Sequence, residues 1–187
     1  MPKRDYLDSN MASDQEKYTE ALPKLLEVFN RYWDYLQDQE PEYGYVIPDR
    51  WFWKFKTNAG KNTLYDAYHH DGVLFAYLFT LYGGTYRQEI EDIVGFPVRT
   101  VSGFVVPANR VLCTHLDNNI VRSSVTTNFL LEGAPDATTT LYTDDGDLMF
   151  EVDGTCKWYQ LRPNKVVHGF KSGSAQAKLL NVWHHHV

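Results

Sequence analysis

Residues 98–131 read VRTVSGFVVPANRVLCTHLDNNIVRSSVTTNFLL. β-branched residues crowd this stretch, and two groups of turn formers divide it, Pro107-Ala108-Asn109 and Asp117-Asn118-Asn119. The spacing predicts three strands, at 98–106, 110–115 and 122–131. In the third, Arg122, Ser124, Thr126 and Asn128 share one parity, while Ser123, Val125, Thr127 and Phe129 take the other. A polar stripe of that kind faces water on a half-exposed sheet, or lines a ligand inside a closed one.

Working outward towards the C-terminus, the same texture continues. Further strands are expected at 138–143, 148–152, 155–161, 166–170 and 178–183, separated by Gly, Asp, Asn and Pro. Eight short strands with turn signals between them fit a two-sheet jelly roll. Towards the N-terminus the character changes at Pro97. Leu22, Leu25, Leu26, Phe29, Trp33 and Leu36 recur at helical spacing. Ser13 with Glu16 fits a capping box. Pro23 is tolerated only near a helix start, and the helix should end before Pro41. Thr63 with Asp66 resembles another helix start, and the stretch towards Gly83 and Gly84 reads as mixed helix. Thr85 with Gln88 predicts a short helix through Ile93, closed by Gly95 and Pro97. The expected fold is α+β in one domain, 1–187. Residues 1–97 form a mainly helical support, and 98–187 form a jelly-roll core.

Composition narrows the function. The chain has 187 residues, a formal net charge of −6 and 15% aromatic residues. That charge argues against a phosphate-backbone binder, so no nucleic acid is expected. Cys113 and Cys156 are distant and lack CxxC partners, which points to reduced thiols rather than a disulfide framework. Residues 1–14 are polar and of mixed charge. The longest apolar stretch, 73–82, is too short to span a bilayer. We expect a cytoplasmic protein without a membrane partner.

The residues that carry chemistry are His115, Asp117, His168 and Lys178. His115 and Asp117 are one residue apart, so they can converge on one face of a strand. Two imidazoles and a carboxylate cap one face of a ferrous ion and leave the opposite positions open. Lys178 lies ten positions beyond His168, among apolar neighbours, where an ammonium needs a partner. The carboxylate of a cosubstrate would serve, and so would an acidic residue from elsewhere in the fold. Blander readings stand beside these: Asp117 capping a turn, His168 as a core histidine, and Lys178 reaching outward along its stem. His69-His70-Asp71 is a rival cluster, best read as a helix-associated surface patch. His184-His185-His186 reads as chain end. Trp51, Trp53, Tyr65 and Tyr68 suit core packing better than a substrate wall.

The pattern His-x-Asp, a long gap, His, then Lys resembles the Fe(II)/2-oxoglutarate-dependent dioxygenase superfamily. The segment from Phe104-Val105-Val106-Pro107 through His115-Leu116-Asp117-Asn118-Asn119 to Arg122 is similar to its aspartyl/asparaginyl β-hydroxylase branch, as is Leu180-Asn181-Val182-Trp183-His184. The resemblance covers about residues 98–187. It implies a double-stranded β-helix as the catalytic core of residues 98–187, iron held by His115, Asp117 and His168, 2-oxoglutarate as cosubstrate and O2 as oxidant. The acid's far carboxylate would meet Lys178, where the branch more often has Arg. Because Lys is a point charge, a hydroxyl such as Thr126 or Tyr142 would assist. Arg122 falls where the branch has a basic residue, so it is a candidate contact for cosubstrate or substrate. The implied activity is hydroxylation of an amino acid, a peptide or protein side chain, or a small polar metabolite, with release of succinate and CO2. The N-terminal half would govern substrate choice. Two alternatives remain: a cupin-like metalloenzyme that does not use 2-oxoglutarate, and a metal-free jelly-roll binding module.

Overall fold

The computed structural model describes residues 16–38, 63–70, 73–115, 124–142, 148–162 and 166–185. These form two helices, α1 (Ala21–Asp38) and α2 (Thr85–Val94). The strands are β1 (Thr63–His70), β2 (Val73–Leu81), β3 (Thr100–Val106), β4 (Val111–His115) and β5 (Ser124–Glu132). They continue with β6 (Thr138–Tyr142), β7 (Leu148–Asp153), β8 (Trp158–Leu161), β9 (Val167–Lys171) and β10 (Ala177–His185).

The strands build two sheets, ordered β1-β2-β3-β10-β5-β8 and β4-β9-β6-β7. Their pairings are antiparallel. Within the run from β3 to β10, the larger sheet has the order β3-β10-β5-β8 and the smaller the order β4-β9-β6-β7. First strand beside last, second beside next-to-last, is the connectivity of a jelly roll. Each of the eight strands expected after Pro97 is present, with ends shifted by a few residues at most.

Before Pro97 the two helices fall where expected, and the stretch from Thr63 to Leu81 differs from the expectation. β1 and β2 are strands, and they extend the larger sheet past β3. The run Val73-Leu74-Phe75-Ala76-Tyr77-Leu78-Phe79-Thr80-Leu81 lacks polar alternation because β2 is covered on both sides. Phe79 and Leu81 belong to the core beneath α1, while Ala76 belongs to the core between the sheets. Periodicity alone cannot separate such a strand from a buried helix.

α1 packs across the outer face of the larger sheet. Leu25, Val28, Phe29, Tyr32, Trp33 and Leu36 are buried there at helical spacing. They meet Phe79, Val101, Phe129, Trp158, Leu180 and Val182 in one continuous core. The approach is close at Gly103, where an added Cβ would lie 2.1 Å from Cζ of Phe79. The β3 position opposite Phe79 therefore has no room for a side chain. α2 ends at Gly95, which takes the left-handed conformation (φ 78°) and bonds back to the Glu91 carbonyl. The Glu91 carboxylate accepts the Val98 amide at 2.7 Å and Arg87 Nη1 at 2.9 Å. These bonds hold that carboxyl below its usual range. Gly84, not Thr85, occupies the N-cap. Among the described residues no helix is long and apolar enough to cross a membrane.

Candidate functional site

The inner face of the larger sheet, turned towards the smaller one, is organised in rows. Leu78, Phe104, Leu179 and Leu130 stand side by side across β2, β3, β10 and β5. Phe104, Leu179 and Leu130 join Val106, Ala177 and Phe170 of β9 in an apolar cluster between the sheets. The next row is polar throughout. Thr80 pairs with Ser102, Ser102 with Asn181, Asn181 with Asn128, and Asn128 with Tyr159. One residue pair further along β5 and β8 come Thr126 and Leu161.

Thr126 and Asn128 are 1% and 6% exposed. Among the described residues, neither Thr126 Oγ1 nor Asn128 Nδ2 has a hydrogen-bond partner. Buried polar atoms are rarely left so, because each forfeits its hydration. Thr126 and Asn128 of the polar stripe read on β5 thus lie inside the roll. Tyr159 reaches across the gap to Thr139 of β6, and burial pushes its hydroxyl up to about 12, so it stays protonated.

The smaller sheet brings the two histidines together. Its register sets His115 of β4 opposite His168 of β9, and Leu141 of β6 opposite His168 on the other side. Leu141 is fully buried and packs on Leu161 of the larger sheet. Directly opposed residues share a face, so His168 looks into the gap. His168 Nδ1 donates to the Val166 carbonyl at 2.9 Å. A carbonyl can only accept, so Nδ1 carries a proton in this contact. Two histidines and an aspartate are donor types that suit a divalent transition metal. Asp117 and Arg122 lie outside the described residues, as does the rival Asp71. Among the described residues no group of three His, Cys, Asp or Glu converges to hold a metal.

Lys178 is elsewhere, and here the expectation is corrected. Its Nζ donates to Glu132 Oε2 at 3.1 Å and to Asn30 Oδ1 of α1 at 3.0 Å. The lysine shares its parity with Leu180 and Val182, whose side chains belong to the outer core. It stands on the helix side of the sheet, away from His168, and the acid that neutralises it is Glu132. A cosubstrate carboxylate between the sheets would not meet it. Tyr142, the second hydroxyl considered, pairs with Val167 at the end of β6.

His184 also departs from its reading as chain end. It is a buried member of β10, 2.8 Å from Thr127 Oγ1, with its ring 4.4 Å from that of Phe96. Gln160 Nε2 donates to the same hydroxyl at 2.8 Å. His69 and His70 lie on β1, not on a helix. The sequence did not single out Ser102, Asn181 or Tyr159. Their signal was register, which shows only when the strands are paired.

No protein-family model matches the sequence, and no curated protein matches it. Solved structures similar to this chain include procruciferin, an 11S globulin from Brassica napus. It is 15% identical over 59% of this chain and 25% of that one, with a TM-score of 0.42. A Pseudomonas putida prolyl-4-hydroxylase is 13% identical over 59% and 69% of the respective chains, with a TM-score of 0.41. A 2OG-Fe(II) oxygenase family oxidoreductase from Burkholderia pseudomallei is 10% identical over 60% and 69%, also at 0.41. Scores this low carry no argument, and the jelly-roll assignment rests on strand order.

Proposed function

We propose that this chain is an Fe(II)- and 2-oxoglutarate-dependent oxygenase of the hydroxylase type, with His115, Asp117 and His168 as the metal ligands. The observation that carries the reading is the cross-strand register of His115 with His168. It lies across the gap from a buried polar face whose Thr126 and Asn128 lack partners among the described residues. Bound iron would let O2 react with 2-oxoglutarate and a substrate C–H bond, giving succinate, CO2 and a C–OH group, with one oxygen atom in succinate and one in the product.

The chain's own residues would do the placing. The Val166 carbonyl fixes the His168 tautomer and ring orientation. Thr126 offers a hydroxyl to a cosubstrate oxygen, and Arg122 is the candidate cation for its far carboxylate. Burial of Thr126 and Asn128 on the inner face strengthens polar contacts made there. The substrate class is an amino acid, a peptide or protein side chain, or a small polar metabolite, acted on in the cytoplasm.

A second reading, a cupin-like metalloenzyme that does not use 2-oxoglutarate, is favoured by one observation. The lysine available on β10 is already neutralised by Glu132, on the other face of the sheet. Anaerobic titration with Fe(II) and then 2-oxoglutarate separates the two. A visible charge-transfer band on adding the acid, with succinate release in air, supports the first. Stoichiometric iron without band or succinate supports the second. Folded protein that takes up no iron sinks both.

A further inference from the structure

We propose that the polar row Thr80, Ser102, Asn181, Asn128 and Tyr159 is a binding strip for an uncharged ligand group bearing a carbonyl oxygen, in its simplest form a carboxamide. The row crosses five strands in unbroken register, from β2 to β8. A face meant only for packing would carry the leucine and phenylalanine of the adjacent row.

Its chemistry is uniformly neutral: three hydroxyls and two amides, with Tyr159 held protonated by burial. A buried carboxylate or ammonium needs a charge of opposite sign, and this row offers none. A carbonyl needs only an N–H or O–H donor. Asn128 Nδ2 is such a donor, buried and without a partner among the described residues. Asn181, directly opposite, supplies both a donor and an acceptor. A primary amide satisfies both senses, taking Nδ2–H at its oxygen and giving its own N–H to an amide or hydroxyl oxygen. Ser102 and Asn181 are only part-buried although they face the smaller sheet, so the space in front of the row admits solvent. The inference concerns the same interior as the oxygenase reading but does not depend on a metal or on 2-oxoglutarate.

The test uses a matched pair of probes of equal length, glutaramide and glutarate. Each is titrated into the isotope-labelled full chain and followed by NMR at constant ionic strength, with and without Fe(II). We expect glutaramide to bind about tenfold tighter than glutarate. Asn128→Leu and Asn181→Leu should each weaken glutaramide by about fivefold or more. The second variant, at a part-exposed position, guards against misfolding of the first. Glutarate binding as tightly as glutaramide overturns the proposal. So does absence of glutaramide binding, or undiminished affinity in both folded variants. Iron uptake, measured on the same samples, reports the oxygenase reading separately. Amide binding without iron would sink that reading and leave this one standing.

Discussion

The two faces of the larger sheet are built on opposite rules. The outer face, under α1, is an aromatic and aliphatic core in which Phe129, Trp158 and Leu180 are fully buried, and its Tyr32 hydroxyl, also buried, lacks a partner among the described residues. The inner face is apolar at one end and polar at the other, and two of its buried polar atoms lack partners among the described residues. An ordinary half-exposed sheet turns its apolar side to its neighbour and its polar side to water. Here the polar side is also enclosed. The outer face supplies the larger apolar core, and the inner face carries the polar row on which the proposals rest.

The largest effect should come from breaking the outer face. Trp158 packs edge-on against Tyr18 with ring centroids 4.8 Å apart. Trp158→Ala should cost about 3–5 kcal/mol in urea unfolding. A loss near 1 kcal/mol would mean that the helix is not the main support of the sheet.

The next effect belongs to the inner side. His168→Ala should weaken Fe(II) binding by about a hundredfold, equivalent to about 2.8 kcal/mol. Metal-free stability should change far less, because the residue is only part-buried. Anaerobic calorimetry with parallel urea curves reads both. Unchanged iron affinity would remove His168 from the ligand set.

Adjacent threonines on β5 allow a comparison within one strand. Thr127 and Thr126 are both buried, on opposite faces. The Thr127 hydroxyl joins Gln160 to His184, whereas that of Thr126 has no partner among the described residues. Thr127→Val should cost about 1–3 kcal/mol, since two polar groups lose their bond. The isosteric Thr126→Val should be neutral or stabilising by up to about 1 kcal/mol. Equal costs in thermal or urea unfolding would erase the distinction between the faces.

That inversion also explains what could be read from the sequence. The eight jelly-roll strands were legible because turn formers bracket each β-branched run. Parity along β5 and β10 was legible too: Lys178, Leu180 and Val182 do share a face. Which face was inside was not legible. An apolar pair beside Lys178 suggests the centre of a roll, but here those neighbours lie under α1. β2 was misread for a related reason, since covering both faces removes the alternation that marks a strand. The His115–His168 juxtaposition was expected from residue type and spacing, and the register supplies it at the backbone. The Asn181–Asn128–Tyr159 row had no such cue, because it joins three strands far apart in the chain.

The smallest effect is the most pointed test of the inversion. The side chain of Lys178 is 14% exposed and that of its partner Glu132 is 47% exposed, so the pair is half in water. Its Coulomb gain is therefore screened. Lys178→Met keeps most of the stem that packs beside α1 and removes the charge. Glu132 can rehydrate, and the cost should be about 1 kcal/mol or less. If this lysine instead met a cosubstrate between the sheets, the same change would strip a buried carboxylate of its cation. The apparent KM for 2-oxoglutarate would then rise steeply, by a factor of about a hundred or more for a lost buried charge pair. The geometry predicts that KM stays put while stability falls slightly. A steep rise in KM with unchanged stability would show that Lys178 serves the inner face after all.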